Sequence, residues 1–245
     1  GSVLESLSEK DLLYCVEILR AREIQAIGIC FITSFINPIH EQKAKKIIID
    51  ELPDIFVCTS SEILPEILEF ERTSTTIANA YVGPIMTRYL TDLEDRLRDL
   101  NYLRDIFIMG SSGGVMSTQR AREVPVATAT SGLAAGVMAG AAIAEQSSLA
   151  NLITIDIGGT SSDIALISNC EPRMTTEWLI EFGVPIRLPA VDIHTIGAGG
   201  GSIAWVDIGG ALQVGPQSAG AIPGPVCYSK GGKHPTTTDA QLVLG

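Results

Sequence analysis

The chain has 245 residues, 46% hydrophobic and 18% charged, with a formal net charge of −11. That length and balance can bury the core of one large domain or two smaller ones and argue against disorder. Its 17 Lys and Arg residues form no dense run, which excludes nucleic acid as an expected partner, because phosphate backbones are held by clustered cations. Backbone N–H groups can still hold an anion in an acidic chain.

Five cysteines (Cys15, Cys30, Cys58, Cys170 and Cys227) are scattered without a CxxC pair, so neither a disulfide framework nor a structural zinc site is indicated. A reducing, cytoplasmic setting is the simplest expectation. The start lacks the basic-then-apolar layout of a signal peptide. Gly1-Ser2 reads as a scar of tag removal, and both ends stop abruptly, as expected of a piece excised from a longer protein.

In chain order, Ser8 is placed to cap a helix reaching Glu23, with Leu12, Leu13, Val16 and Leu19 at helical spacing. "AIGICFIT" (26–33) reads as a buried strand, Pro38 to Asp50 as a helix, and "IFVCTS" (55–60) as the next strand. A long helix is expected from about Ser74 to Leu100, interrupted or kinked at Gly83-Pro84. At its start, Thr73 or Ser74 could serve as N-cap, while Arg72 and Asn79 could instead contact substrate or a neighbouring domain. "DIFIMG" (105–110) is a third strand. Alternating strands and helices, each strand a continuous apolar run, predict an α/β fold with a mainly parallel sheet.

Gly110-Ser111-Ser112-Gly113-Gly114 matches the GxSxG nucleophile elbow, with Asp192 and His194 following in the expected order. An elbow must lead straight into a helix, however, and "VMSTQRAREVP" offers a weak one broken by Pro125. A glycine–serine nest suits the segment better. "ATATSGLAAGVMAGAAIA" (127–144) is uncharged but built of small residues, so it reads as a tightly packed helix and no membrane is implied. From Asn151 onward β-branched residues, glycines and turns dominate. The expected organisation is an α/β portion over 1–125, a connecting helix over 126–150 and a glycine-rich β region over 151–245.

"LITIDIGGTSSDIALI" (152–167) joins two apolar runs, read as fully buried strands, through a turn bracketed by Asp156 and Asp163. Gly158 and Gly159 allow close backbone approach, Thr160, Ser161 and Ser162 add hydroxyl donors, and successive N–H groups can form a phosphate nest. Asp156 can hold Mg²⁺ or orient an attacking group. "VDIGG" at Val206 echoes "IDIGG" at Ile155. In "DIHTIGAGGGSIAWVD" (192–207), Gly197, Gly199, Gly200, Gly201 and Ser202 form a loop between strand-like runs, which favours a ligand loop over a linker. Asp192 and His194 share one strand face. They could share a metal with Asp156, His194 could be an acid–base group, or it could be a hydrogen-bonded structural residue.

Taken together, "ERTSTTIANAYVGP", "SSGGVMS", "SGLAAGV", "DIGGTSSD", "DIHTIGAGGGSIA" and "VGPQSAGAIPGPVCYSKGG" followed by "PTTTDAQLVLG" resemble the hydantoinase A/5-oxoprolinase family, which also includes ATP-dependent acetone carboxylase subunits. The resemblance implies part of an actin/hexokinase-like (ribonuclease H-like) ATPase fold, whose second phosphate turn is "DIGGTSSD" and whose first lies N-terminal to this chain. It implies ATP- and Mg²⁺-dependent opening of a cyclic amide, or another divalent metal in place of Mg²⁺, with a hydantoinase B-type subunit or domain as partner. Under it Asp156 acts through the metal, while Asp192 as a second candidate ligand and His194 as a second catalytic candidate rest on the residue pattern alone. Gly158, Gly159, Thr160, Ser161 and the 197–202 loop then hold nucleotide. A ketone carboxylase and a non-catalytic nucleotide-binding module are the alternatives. Leu133 stands where the family usually has proline, and Gln217 and Ile222 also depart from its pattern.

Overall fold

The computed structural model describes residues 1–180 and 183–245. Ser8 accepts a hydrogen bond from the Asp11 N–H (3.3 Å) and starts helix α1 (Glu9–Arg20). Strands β1 (Ala26–Ile29) and β2 (Phe56–Thr59) pair in parallel, and α2 (Ile39–Glu51) supplies the crossover that parallel neighbours require. Val16, Ile29, Ala44, Ile48 and Val57 pack between them as a core cluster. A short turn, α3 (Ser60–Ile63), then leads to α4 (Glu69–Asp99), a helix of 31 residues.

Helix α4 departs from expectation at both marked points. It begins five residues before Ser74, which is no cap: its hydroxyl donates to the Pro185 carbonyl. It also runs unbroken through Gly83-Pro84. A Cβ at Gly83 would stand 2.5 Å from the Phe56 ring, so glycine there lets the helix lie against β2. Strands β3 (Phe107–Met109) and β4 (Val115–Ser117) form a separate antiparallel hairpin rather than extending the parallel pair. The Gly110–Gly114 segment is the hairpin's loop, with the Gly110 N–H on the Gly114 carbonyl (2.8 Å). No strand-to-helix elbow forms there. The short α5 (Thr118–Glu123) follows β4.

Next come α6 (Ser131–Gln146), β5 (Asn151–Ile157), β6 (Ser162–Ser168), β7 (Glu171–Pro172), β8 (Met174–Thr175), β9 (Trp178–Ile180), β10 (Val184–Ile186), β11 (Ala190–Val191), β12 (Ile193–Ile196), β13 (Ser202–Val206), β14 (Leu212–Ser218) and α7 (Thr237–Leu244). Two compact units result: Gly1–Ser131 with Thr175–Ala190, and Gly132–Met174 with Val191–Gly245. This differs from divisions at 125 and 150. The small-residue helix, expected as a connector, packs Ala134, Val137, Ala141 and Ala144 against Ala165, Ile167 and Val191 in the second unit's own core. Conversely, the β9–β10 hairpin returns to the first unit, where Ile186 is fully buried.

The second unit's principal sheet has the antiparallel order β12-β6-β5. Gly140 brings α6 close to it, since a Cβ there would meet Thr154 at 2.5 Å. One sheet face (Leu152, Ala165, Ile167, Ile193) belongs to the core under α6. The other is open: Ile153, Ile155 and Ile157 are 64%, 60% and 59% exposed, so β5 is half-covered rather than fully buried. Among the described residues no helix is long and apolar enough to cross a membrane.

Candidate functional site

The β5–β6 turn is closed by the Gly158 N–H on the Ser161 carbonyl (2.9 Å). The next three N–H groups, of Gly159, Thr160 and Ser161, find no acceptor among the described residues of their unit. Successive unclaimed donors on one turn make an anion-binding concavity. The turn lines a cavity of about 600 Å³, whose walls include Gly200, Gly201, Tyr228 and Thr238.

The second glycine loop plays a different part from the one expected. Its Gly200 N–H donates to the Gly158 carbonyl (2.9 Å) and its Gly201 N–H to the Gly159 carbonyl (2.6 Å). The Gly199 N–H goes to Ser202 Oγ (2.8 Å), and Ser162 Oγ donates to the Ala198 carbonyl. The Gly200 and Gly201 donors are spent on the turn and the Gly199 donor on fully buried Ser202, so residues 199–201 brace the turn. A Cβ at Gly199 would lie 2.7 Å from Gly158 O, Ser161 N and Thr160 C, and one at Gly201 2.8 Å from Gly159 O. Backbone meets backbone here. A Cβ on Gly159 would meet nothing within 4 Å, and Gly159 does not have positive φ, so the chain's own fold does not demand glycine there. Gly197 likewise meets nothing within 4 Å.

Asp156 lies directly opposite Asp163, and Asp163 opposite Thr195, which places all three on the α6 face of the sheet. The Thr195 hydroxyl donates to Asp163 Oδ1 (2.5 Å). Asp156 and Asp163 line a cavity of about 190 Å³ with Leu133 and Gly136. His194 pairs with Ile164 in the register and therefore faces the other way. Asp192 is ion-paired with Arg173 (3.1 Å) and stands 3.7 Å from His194 Nε2. Asp156 thus precedes the turn by two residues and lines a cavity other than the one the turn faces, and the structure does not bring Asp192 and His194 to it. Among the described residues no three His, Cys, Asp or Glu side chains gather at metal-binding spacing.

The echo at Val206 is a capped hairpin. Asp207 accepts from the N–H groups of Ala211 and Gly209 (2.9 Å each) and from Gln213 Nε2 (2.8 Å), and these hold its carboxyl below the usual range. In the first unit, Arg72 is fully buried and donates to the Phe31 carbonyl (3.0 Å), Ser60 Oγ (3.2 Å), Ser34 and Glu69. Buried Asn79 accepts from the Val126 N–H (3.2 Å). Both are interior scaffolding.

Two residues by the cavity escaped the sequence reading. Thr238 donates through both its N–H and its hydroxyl to the Gly200 carbonyl (2.8 Å each). Asp239 forms a capping box with Thr236 and accepts from the Cys227 N–H (2.7 Å). Burial would raise its carboxyl, but the hydrogen bonds from Cys227 and Thr236 outweigh that and hold it far below the usual range. The "TTTD" spacing is the capping-box pattern that could have revealed this helix start.

Comparison with known proteins places the chain in a family and among solved structures of similar fold. The hydantoinase/oxoprolinase family profile matches residues 72–245, and the chain belongs to that family. It is 42% identical over its whole length to an uncharacterised protein of Methanocaldococcus jannaschii and spans 38% of that protein. It is also 42% identical to caprolactamase subunit alpha of Pseudomonas jessenii, spanning 35% of it. The crystal structure of ATP-dependent caprolactamase from that organism superposes on the whole chain with a TM-score of 0.83. A nucleotide-free acetone carboxylase structure, 29% identical, superposes on the whole chain with a TM-score of 0.80, the chain covering 35% of it. The chain therefore spans little more than a third of these relatives.

Proposed function

We propose that this chain is part of an ATP-dependent cyclic-amide hydrolase with an actin/hexokinase-like ATPase fold, working in the cytoplasm, and that the turn Gly158–Ser161 takes the nucleotide's phosphates. The observation that carries this reading is the run of three unclaimed N–H groups on a glycine turn lining a cavity of about 600 Å³. Gly159, whose missing side chain serves nothing within the chain, leaves room for an incoming oxygen. Mg²⁺ retains waters and uses one or two carboxylates together with phosphate oxygens. Asp156, with Asp163 beside it, suits that mode and not an all-protein cage.

When bound, ATP supplies a phosphoryl group that converts the amide oxygen of a cyclic amide into a leaving group. The chain's own contribution is to hold phosphate oxygens on the N–H groups of Gly159, Thr160 and Ser161, and to orient the metal through Asp156. Asp192 and His194, on the opposite sheet face, take no part in this reading. A hydantoinase B-type polypeptide is the proposed partner; the caprolactamase relative is itself named as a subunit. Ketone carboxylation is the second reading, supported by the likeness to acetone carboxylase.

The test uses the full-length protein with its partner polypeptide, supplied with lactams or hydantoins, with and without bicarbonate. Bicarbonate-independent, ATP-dependent ring opening is expected, and Asp156→Ala should lower turnover by about 10²-fold or more, as loss of a group positioning transition-state charge does. Undiminished turnover in that variant would refute the assignment, and strict dependence on bicarbonate would select the carboxylase reading.

A further inference from the structure

The peptide planes of the glycine loop and the turn are connected in series. A trans peptide points its C=O and N–H in opposite directions, and neither segment contains a cis bond. Thr238 donates twice to the Gly200 carbonyl, at 2.8 Å from its hydroxyl and 2.8 Å from its N–H. That peptide's other end is the Gly201 N–H, which donates to the Gly159 carbonyl (2.6 Å). The far end of the Gly159 peptide is in turn the Thr160 N–H, which points away from the loop on the exposed side of the turn. A second series runs beside the first. The Ser202 N–H meets the Gly199 carbonyl (3.1 Å), the Gly200 N–H meets the Gly158 carbonyl (2.9 Å), and the Gly159 N–H lies at its end.

Resting on the phosphate-turn reading, we propose that Thr238 is a positioning residue: through two successive peptide planes it aims the Thr160 N–H at the phosphate oxygens. Chains of hydrogen bonds also polarise one another, so a donor at the end of such a series binds an anion more strongly than an isolated amide. Thr238 lies in the first turn of α7, where backbone N–H groups have no helical partner and are free to donate. The N-terminus of α7 is thereby tied to phosphate affinity without needing to touch the ligand. Gly199 and Gly201 are glycines because the two series run so close together that a Cβ would strike the turn.

The experiment compares Thr238→Val and Thr238→Ser in the full-length protein with its partner polypeptide. Thr238→Val removes one of two donors to the Gly200 carbonyl and should raise the KM for ATP roughly 3- to 10-fold, the effect of one neutral hydrogen bond. Because phosphate binding is shared by ground and transition states, kcat should stay within about twofold. Thr238→Ser keeps the hydroxyl and should restore the KM.

An unchanged KM in Thr238→Val overturns the proposal, as does failure of Thr238→Ser to rescue. A crystal structure of Thr238→Val separates positioning from direct contact: a rotated Gly159–Thr160 peptide supports the series, and a raised KM with that peptide unmoved means that Thr238 contacts ligand directly, which also overturns the proposal. Failure of the wild-type protein to bind ATP would instead refute the phosphate-turn reading itself.

Discussion

Gly199 and Gly159 lie on facing segments, and the structure separates their reasons for being glycine. Gly199→Ala would place a methyl carbon 2.7 Å from three backbone atoms of the turn. Ordinary carbon contacts lie near 3.5–4.0 Å, so backbone on one side must retreat by about half an ångström or more. Overpacking of this kind costs about 1–3 kcal/mol, which lowers Tm. Gly159→Ala meets open space at a φ that alanine accepts, so stability should be unchanged or rise by about 0.4–1 kcal/mol. The same methyl stands where a phosphate oxygen must approach, and nucleotide affinity should fall by about tenfold or more. Calorimetric melting without nucleotide and titration with ADP, both on the full-length protein, measure the two effects. A Gly199→Ala protein melting with the wild type, or a Gly159→Ala protein that loses stability while binding ADP normally, would refute the division.

Fully buried Glu41 accepts from Ser60 Oγ (2.6 Å) and from the Phe31 and Ser61 N–H groups (2.8 and 2.9 Å). Burial alone would raise its carboxyl, but these donors outweigh it and leave it below the usual range. Its stabilisation is therefore complete above the unfolded value of about 4.3 and is lost as pH falls from there through the lower folded value. Glu41→Gln should cost about 1.5–3 kcal/mol at neutral pH and flatten the acid limb of urea-denaturation stability; an unaltered acid limb would contradict this. Ser112 lies in a hairpin loop, so Ser112→Ala should leave full-length turnover within about twofold, as at other positions outside core and site. Collapse of activity would revive the serine-nucleophile reading.

What could be read in the sequence was local. Ser8 capped its helix as expected, and the apolar runs at 26–33, 55–60 and 105–110 each contain a strand, shorter than the run: Ala26–Ile29, Phe56–Thr59 and Phe107–Met109. The tight turn at "DIGGTSSD" was legible because two glycines, three hydroxyls and two bracketing carboxylates fall within one short stretch between apolar runs. Long-range pairing was not legible. Nothing at Gly200 or Gly201 announces that their N–H groups will be claimed by carbonyls some forty residues upstream, so a brace and a ligand loop look alike. Pro84 likewise suggested a break because a proline removes one helix bond, yet helical structure continues through it from Glu69 to Asp99. His194 and Asp156 looked compatible until the register fixed them on opposite faces, a distinction that turns on a single residue of offset.

The excursion from Thr175 to Ala190 has a consequence for how the chain is made. Domains generally fold as units from the N-terminus during synthesis. Here the first unit's core includes Ile186 alongside Cys58, Ala80 and Val126, so it cannot close when Ser131 leaves the ribosome. It must wait while Gly132–Met174, including the turn and both of its strands, is translated. The second unit in turn needs Val191 onward. The two units therefore have interleaved schedules, each holding an unfinished core while part of the other emerges, and no single cut between them would release either one whole.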